Sequence, residues 1–441
     1  MQPFRWTLSA YGWVTRCLTP FILVRAWWNG RKSPLYSSNL LQRVGWGYPT
    51  ESIGSSIIWL HAVSLGETRA AATLIRRLQE QYPESQLLLT HFTATGMAEG
   101  AKYLRKTDLQ VWAPWDSPGV VRRFLRRFRP EVALLMETEV WPTWMREMKQ
   151  LGTPVLLVNG RLSERSMQKA LRLSAISRPT FASFTRVMAQ SIADGERFKA
   201  LGVPSVSVTG NLKFEMDRNE ALLNRGREWR GRLNKPVVIF ASSREGEEAM
   251  WLNEWRQLKS SGLSAQAHWL LVPRHPERFQ EVQALLSASG LTASLRSSWG
   301  EQGPSVEDQS ADVWIGDSLG EMHLYFGLSD VALMGGSFGP YGSQNFIEAV
   351  ACECPVVVGP STYNFADAAR LLQEAGCFTQ VNHMEDAMVV ALRWLQQPAV
   401  LEALRVAGAA EVRRQSGATQ RTWELIVPYL GTRHQAPESS H

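Results

Sequence analysis

Residues 331–360, VALMGGSFGPYGSQNFIEAVACECPVVVGP, read as a buried strand, a glycine-rich turn, a short helix and a second buried strand. Gly335, Gly336, Gly339 and Gly342 permit close backbone approach. A helix opening near Ser343 aims unpaired N–H groups and the positive end of its dipole into the loop, as a phosphate site requires. Glu348 follows within the next turn, and its carboxylate can accept two hydroxyl hydrogen bonds of the kind a ribose diol offers. An ordinary βαβ turn, with Ser343 as N-cap and Glu348 as a first-turn acid, fits the same residues. The stretch therefore speaks for the fold before it speaks for a ligand.

The same alternation of apolar, β-branched runs and helical patterns extends in both directions. It predicts strands over 57–60, 86–90, 132–136, 154–158 and 186–189 in the first half, with a further one at Val206. In the second half it predicts 237–241, 269–272, 312–315, 331–334 and 356–358. Repeated strand–helix alternation argues for an α/β chain of parallel, doubly wound sheets. The charged stretch from Lys213 to Lys235 has no strand signal and reads as a linker. The expected organisation is an anchor over 1–30, a Rossmann-like domain over 31–215, a linker over 216–235, a second Rossmann-like domain over 236–430 and a disordered tail over 431–441. A cleft between the domains is expected, with ligands at the carboxyl ends of the strands.

With 441 residues, 44% hydrophobic and 20% charged, the chain suits two or three globular domains. The net charge of +6 calls for an anionic partner, leaving nucleic acid, acidic lipid and a phosphorylated substrate open. Eighteen tryptophans, many near the N-terminus, favour a membrane surface among these. Cys17, Cys352, Cys354 and Cys377 form no CxxC pair and have no histidines at ligand spacing, so neither a disulfide framework nor a zinc site is indicated. Residues 6–28, WTLSAYGWVTRCLTPFILVRAWW, are apolar but interrupted by Arg16, Pro20 and Arg25, too short for a span. With Arg25, Arg31 and Lys32 behind, they read as an interfacial anchor with its charged flank on the cytoplasmic side. A core helix is the alternative.

Two acidic openings stand at strand ends in the first half. In WLHAVSLGETRAAA (59–72), Gly66 allows a tight turn and Glu67 opens a helix, where it could take a proton from an attacking hydroxyl. Ser64 and Glu67 also have capping-box spacing, a purely structural account of the same acid. In METEVWPT (136–143), Glu137 and Glu139 precede Pro142 at a helix start; Glu139 could orient a substrate or simply stabilise the helix dipole. Lys213 after TGN and Arg274 after LLVP could bind phosphate or carboxylate. RRFLRRFR (122–129) reads as a solvated amphipathic helix. His61 and His323 stand alone and read as packed rather than catalytic, and no metal cluster is apparent.

Taken together, HAVSLGE, METEVWPTW, NGRLSERS, TGNLKFE, ASSREGEE, PRHPERF, GDSLGEM, GGSF and QNFIEA…PVVVGP…NF resemble, in order and over nearly the whole chain, the bacterial 3-deoxy-D-manno-octulosonic acid (Kdo) transferases of lipopolysaccharide synthesis. The resemblance implies a GT-B glycosyltransferase fold and an inverting transfer of Kdo from CMP-Kdo to the tetra-acylated lipid A precursor. It implies no metal or other cofactor and no nucleic acid, and it places the enzyme on the cytoplasmic face of the inner membrane. By the same carry-over Glu67 is the general base, Glu139 supports the acceptor, and Lys213 and Arg274 neutralise the donor. Gly336, Ser337, Asn345 and Glu348 hold the nucleotide, with Gln344 among them.

Where the family usually has histidine, this chain has Arg244, Gln344 and Ser361; Gly160 replaces the usual alanine in NGR, and His91-Phe92 interrupt a threonine-rich run. Three rivals stand beside this reading, and these changes motivate the first. One is a paralogue with another CMP-activated ulosonic acid or another acceptor; the second is a GT-B sugar-nucleotide epimerase; the third is a non-catalytic binding paralogue.

Overall fold

The structure is a computed structural model that describes residues 2–30, 38–49, 54, 56–215 and 218–431. The chain divides into two units, Met1–Glu215 with Gln415–His441, and Met216–Arg414.

The first unit is built on seven strands: β1 (Ile57–His61), β2 (Gln86–His91), β3 (Leu109–Trp112), β4 (Val132–Met136), β5 (Val155–Gly160), β6 (Arg186–Ala189) and β7 (Val206–Val208). Their order is β3-β2-β1-β4-β5-β6-β7, and every pairing is parallel. Alternate residues of one strand enter different cores: Ile57, Trp59, Ala133 and Leu135 lie in one cluster, and Ile58, Leu60, Leu134 and Met136 in another. Both faces of the sheet are thus covered, which is why these strands read as continuous apolar runs. The order reverses between β1 and β4, so their carboxyl ends border the switch-point crevice of such sheets.

The second unit repeats the plan with β8 (Val237–Ser243), β9 (His268–Pro273), β10 (Ala293–Leu295), β11 (Val313–Ile315), β12 (Val331–Met334), β13 (Val356–Val358) and β14 (Phe378–Gln380). The order is β10-β11-β9-β8-β12-β13-β14, again parallel throughout, with its switch point between β8 and β12. The expected doubly wound sheets are present. β3, β10 and β14 were not expected; each is a sheet edge, and β10 and β14 have three residues with a single buried one apiece.

Two expected boundaries differ. The stretch taken as a linker contains a helix, Glu220–Gly231, packed on the helix Met322–Leu328. The backbones touch so closely that a Cβ on Gly226 would stand 2.1 Å from the carbonyl of Leu324, and one on Gly327 would stand 2.3 Å from that of Leu223. Glycine supplies the contact here, so the helix carries little apolar signal. The second domain also ends earlier than 430. The helix Ala418–Ile426 buries Ala418, Trp423 and Ile426 in a core of the first unit, an assignment that helical periodicity alone cannot make. Apart from Gly431, the tail expected to be disordered lies outside the described residues.

The N-terminal helix, Gln2–Gly30, lays one face on the first unit. The Tyr11 hydroxyl donates to Asp116 at 2.8 Å, and the Trp115 indole donates to the carbonyl of Thr15 at 3.2 Å. Burial raises the Asp116 carboxyl to about 6, against the bonds from Tyr11, Thr143 and Trp144 that favour its charge. Trp13, Leu18, Phe21, Val24 and Trp28 of the same helix are exposed. Among the described residues no helix is long and apolar enough to cross a membrane. Arg31 and Lys32 of the expected charged flank lie outside the described residues.

Candidate functional site

In the first unit, polar side chains gather where β1, β4 and the loop after β7 end. Ser64 caps the helix Leu65–Gln81, its hydroxyl accepting the N–H of Glu67. The Glu67 carboxylate reaches back, Oε2 accepting the N–H of Val63 at 2.6 Å and Oε1 the hydroxyl of Ser64 at 3.1 Å. The capping arrangement is real, and it also fixes the carboxylate in place. Burial, and then repulsion from Glu137, push its pKa up to about 8; the Val63 N–H works against them, and Glu139 adds to them.

Glu137 has a left-handed backbone, φ 56°. Its N–H donates to Val158 and its carbonyl accepts from Arg161, so both peptide groups are tied to the end of β5, and the side chain is largely buried. Such a conformation costs about 1–2 kcal/mol for a residue with a Cβ and is often found at working sites. Lys213 places its ammonium 2.7 Å from Glu137 Oε1. Its position is set by two asparagines: Asn211 accepts the N–H of Lys213, and Asn159 that of Leu212. Lys213 was expected on the donor's anion. In the structure it stands in the first unit, paired with a carboxylate.

Glu139 accepts the indole N–H of Trp141 at 2.6 Å and lies 3.7 Å from Nε2 of the fully buried His61. The other ring nitrogen of His61 meets the Thr90 hydroxyl at 2.8 Å, and that hydroxyl also accepts the indole N–H of Trp59. Nδ1 also lies 3.1 Å from the carbonyl oxygen of Thr90, while the buried Nε2 faces Glu139 without a hydrogen bond. His61 therefore belongs with the acids, although an isolated histidine on a buried strand gave no signal of it. Glu137, noticed as an acid but not singled out, joins Glu67, Glu139 and Lys213. A left-handed acid directly after a buried strand is visible only in coordinates.

In the second unit the glycine-rich loop behaves differently from the expectation. The N–H groups of Gly336, Phe338 and Gly339 do converge on an anion, but the anion is Glu247, which accepts them at 2.7, 2.9 and 3.1 Å, together with the N–H of Arg244 at 2.9 Å. Burial raises the carboxyl's pKa and the four N–H donors oppose the rise. ASSREGEE gives no indication in the sequence that its second acid spans to the loop.

Ser337 is also committed within the fold, donating to the carbonyl of Met334 at 2.5 Å and accepting the N–H of Gly359 at 2.7 Å, with no exposure. Its expected role in holding the nucleotide gives way to tying β12 to the end of β13. Gly335 admits no side chain, a Cβ there standing 2.3 Å from the carbonyl of Ser242. The expected helix start also shifts. Ser343 is left-handed, φ 69°, with its N–H on Gly336, and the helix runs Phe346–Ala351 behind Asn345.

Other expected residues do gather at the carboxyl ends of β8, β9 and β12. Arg274 Nε donates to Gln344 Oε1 at 3.2 Å, and the Gln344 side chain lies over Gly336. Glu348, partly exposed, stands 3.7 Å from His323. Arg244 lies on the Tyr341 ring, 4.5 Å from its centre, and Ser361 accepts the N–H of Gly342. Among the described residues no three His, Cys, Asp or Glu side chains are grouped to hold a metal ion.

Two parallel seven-stranded units, each with polar groups at its switch point, define a protein of the GT-B fold class. The fold resembles that of MurG from Acinetobacter baumannii, with a TM-score of 0.52 at 13% identity over 85% of this chain and 99% of that one. Residues 38–216 match the family described as "3-Deoxy-D-manno-octulosonic-acid transferase (kdotransferase)". The 3-deoxy-D-manno-octulosonic acid transferase of Bordetella pertussis is 40% identical over 96% of this chain and 99% of its own length, and that of Haemophilus influenzae is 32% identical over 90% and 93%. The chain belongs to the 3-deoxy-D-manno-octulosonic acid transferase family.

Proposed function

We propose that the protein transfers Kdo from CMP-Kdo to a lipid A precursor in lipopolysaccharide synthesis, with inversion and without a metal, on the cytoplasmic face of the inner membrane. The observation that carries the chemistry is Glu67. A carboxylate pinned at a strand's carboxyl end with its pKa raised to about 8 has the proton affinity to receive a hydroxyl proton as the bond to the sugar forms. Glu139 and Lys213 flank it on the acceptor side. Lys213 neutralises Glu137, without which ionised Glu67 would face two further negative charges. Arg274, Gln344, Asn345, Glu348 and the backbone at Gly336 take the donor, Glu348 on the ribose diol. The exposed aromatic face of the N-terminal helix supports contact with a bilayer interface, where tryptophan is favoured.

The test is incubation of the full-length protein with CMP-Kdo and lipid A precursor, with and without a chelator. CMP release and a lipid heavier by one or more Kdo units are expected in both cases. No CMP release overturns the reading. Release without that lipid favours the paralogue, which the Arg274–Gln344 contact motivates because glutamine stands there in a histidine's usual place.

A further inference from the structure

Beside the acidic site of the first unit, a cavity of about 270 Å³ lies between the N-terminal helix and the helices Glu164–Arg172 and Ser174–Phe181. Tyr11, Val140, Ala170, Leu173, Ile176 and Phe181 contribute to its walls. Val140 directly follows Glu139, so one wall is continuous with the acidic site. The cavity opens to solvent, so a ligand can enter it from the surface. Its polar groups are already engaged: the Ser177 hydroxyl donates to Ala170, that of Thr180 to Ile176, and that of Tyr11 to Asp116. The cavity wall therefore holds few groups for the two to four bonds a water needs, and it suits hydrocarbon.

The rim has the opposite character. Lys169 lines the cavity, and Arg165 and Arg172 share its helix face four residues before and three after; all three are exposed. An apolar slot under a cationic rim matches an anionic amphiphile, with its phosphate outside and its chain within. The wall contributed by Tyr11 belongs to the helix whose other face exposes Trp13, Phe21 and Trp28. A lipid lying in the bilayer interface under that helix would meet the slot without leaving the membrane.

We propose that this cavity receives one acyl chain of the acceptor lipid, placing its sugar hydroxyl beside Glu67 and Glu139. The inference rests on the acceptor being an acylated lipid A precursor. Four methylenes sunk in the slot correspond to more than a hundredfold in affinity, at about fourfold for each one.

The experiment measures KM for the lipid A precursor and for the same acceptor with its acyl chains removed, in the full-length protein, Ala170→Phe and Leu173→Asp. Filling the slot or charging its rim should raise KM for the acylated acceptor about tenfold, or about 1.4 kcal/mol. KM for the deacylated acceptor and both kcat values should stay within twofold. Leu173 is 65% exposed, so its variant keeps the test intact if Ala170→Phe fails to fold. Equal changes for both acceptors overturn the acyl subsite, as does competition by bilayer phospholipid that ignores which acceptor is used. No transfer to either acceptor by the unaltered protein overturns the transfer reading itself.

Discussion

Glu247 accepts the backbone N–H of Gly336 at 2.7 Å, from a helix start 89 residues earlier in the chain. Two further loop N–H groups and that of Arg244 share the same carboxylate. The glycine-rich turn is therefore an anion cradle whose anion is built in. Its N–H groups shape the loop and are already taken.

Glu247→Ala should consequently act on the fold first. It strands four N–H groups in a buried place, each at about 1–3 kcal/mol when unsatisfied. Chemical denaturation should show the second unit losing several kcal/mol, whereas Glu247→Gln, which keeps one accepting oxygen, should lose about half as much. If Glu247→Ala unfolds at the parent's denaturant midpoint, the carboxylate is not what holds the loop.

The raised pKa of Glu67 makes a prediction in pH. As a base it works ionised, so kcat/KM should climb with pH and level off above about 8, the value for the free enzyme. Glu137→Gln removes a repulsion that raises this pKa, so the midpoint should move down. Glu67→Gln should lower kcat about a hundredfold or more on the plateau above pH 8 and remove the rise with pH. A profile for Glu137→Gln that moves up or stays would contradict the arrangement.

The same shift carries a stability consequence of definite sign. Glu67 keeps its proton to about 8 when folded but loses it near 4.5 when unfolded, so its contribution is full below pH 4.5 and is lost as pH rises through 8. Relative to the parent, Glu67→Gln should therefore gain stability steadily between these values and level off above them. The trend with pH is the measurement, since any constant offset reflects the altered hydrogen bonds to Val63 and Ser64.

How much of this was legible in the sequence depends on where the information resides. The central strands announced themselves because both faces are buried, as with Ile57 to Leu60, whereas β10 and β14 are edge pieces with one buried residue each. Glu67 was readable because a glycine turn and a cap fix it locally. Glu137, His61 and Glu247 were not: their roles come from a left-handed backbone angle, a 3.7 Å approach to Glu139 and a contact spanning 89 residues. Lys213 was found for its charge, but its pairing with Glu137 was not, because charge alone does not say which group a side chain meets.

Lys213 and Glu137 should behave as a coupled pair. Lys213→Ala leaves Glu137 partly buried without its cation, which should raise the Glu67 midpoint further and depress kcat/KM at neutral pH. Adding Glu137→Gln should recover part of that loss. A double-mutant cycle should give a coupling above about 1 kcal/mol; additive effects would mean that the 2.7 Å contact contributes nothing to the site.

The final prediction concerns the helix Glu220–Gly231, which the sequence offered only as a linker. Gly226→Ala puts a methyl group 2.1 Å from the carbonyl oxygen of Leu324, a backbone atom that cannot swing aside. The two helices must separate, a change that should exceed the usual 1–3 kcal/mol for overpacking. It should also disturb Trp229, which is buried beneath this helix with its indole N–H on Glu301. Gly231→Ala, on the same helix but with nothing within 4 Å of the added carbon, is the control and should be neutral or slightly stabilising. If both substitutions leave thermal unfolding unchanged, the segment is a tether after all; if only Gly226→Ala lowers it, the helix is part of the second unit's core.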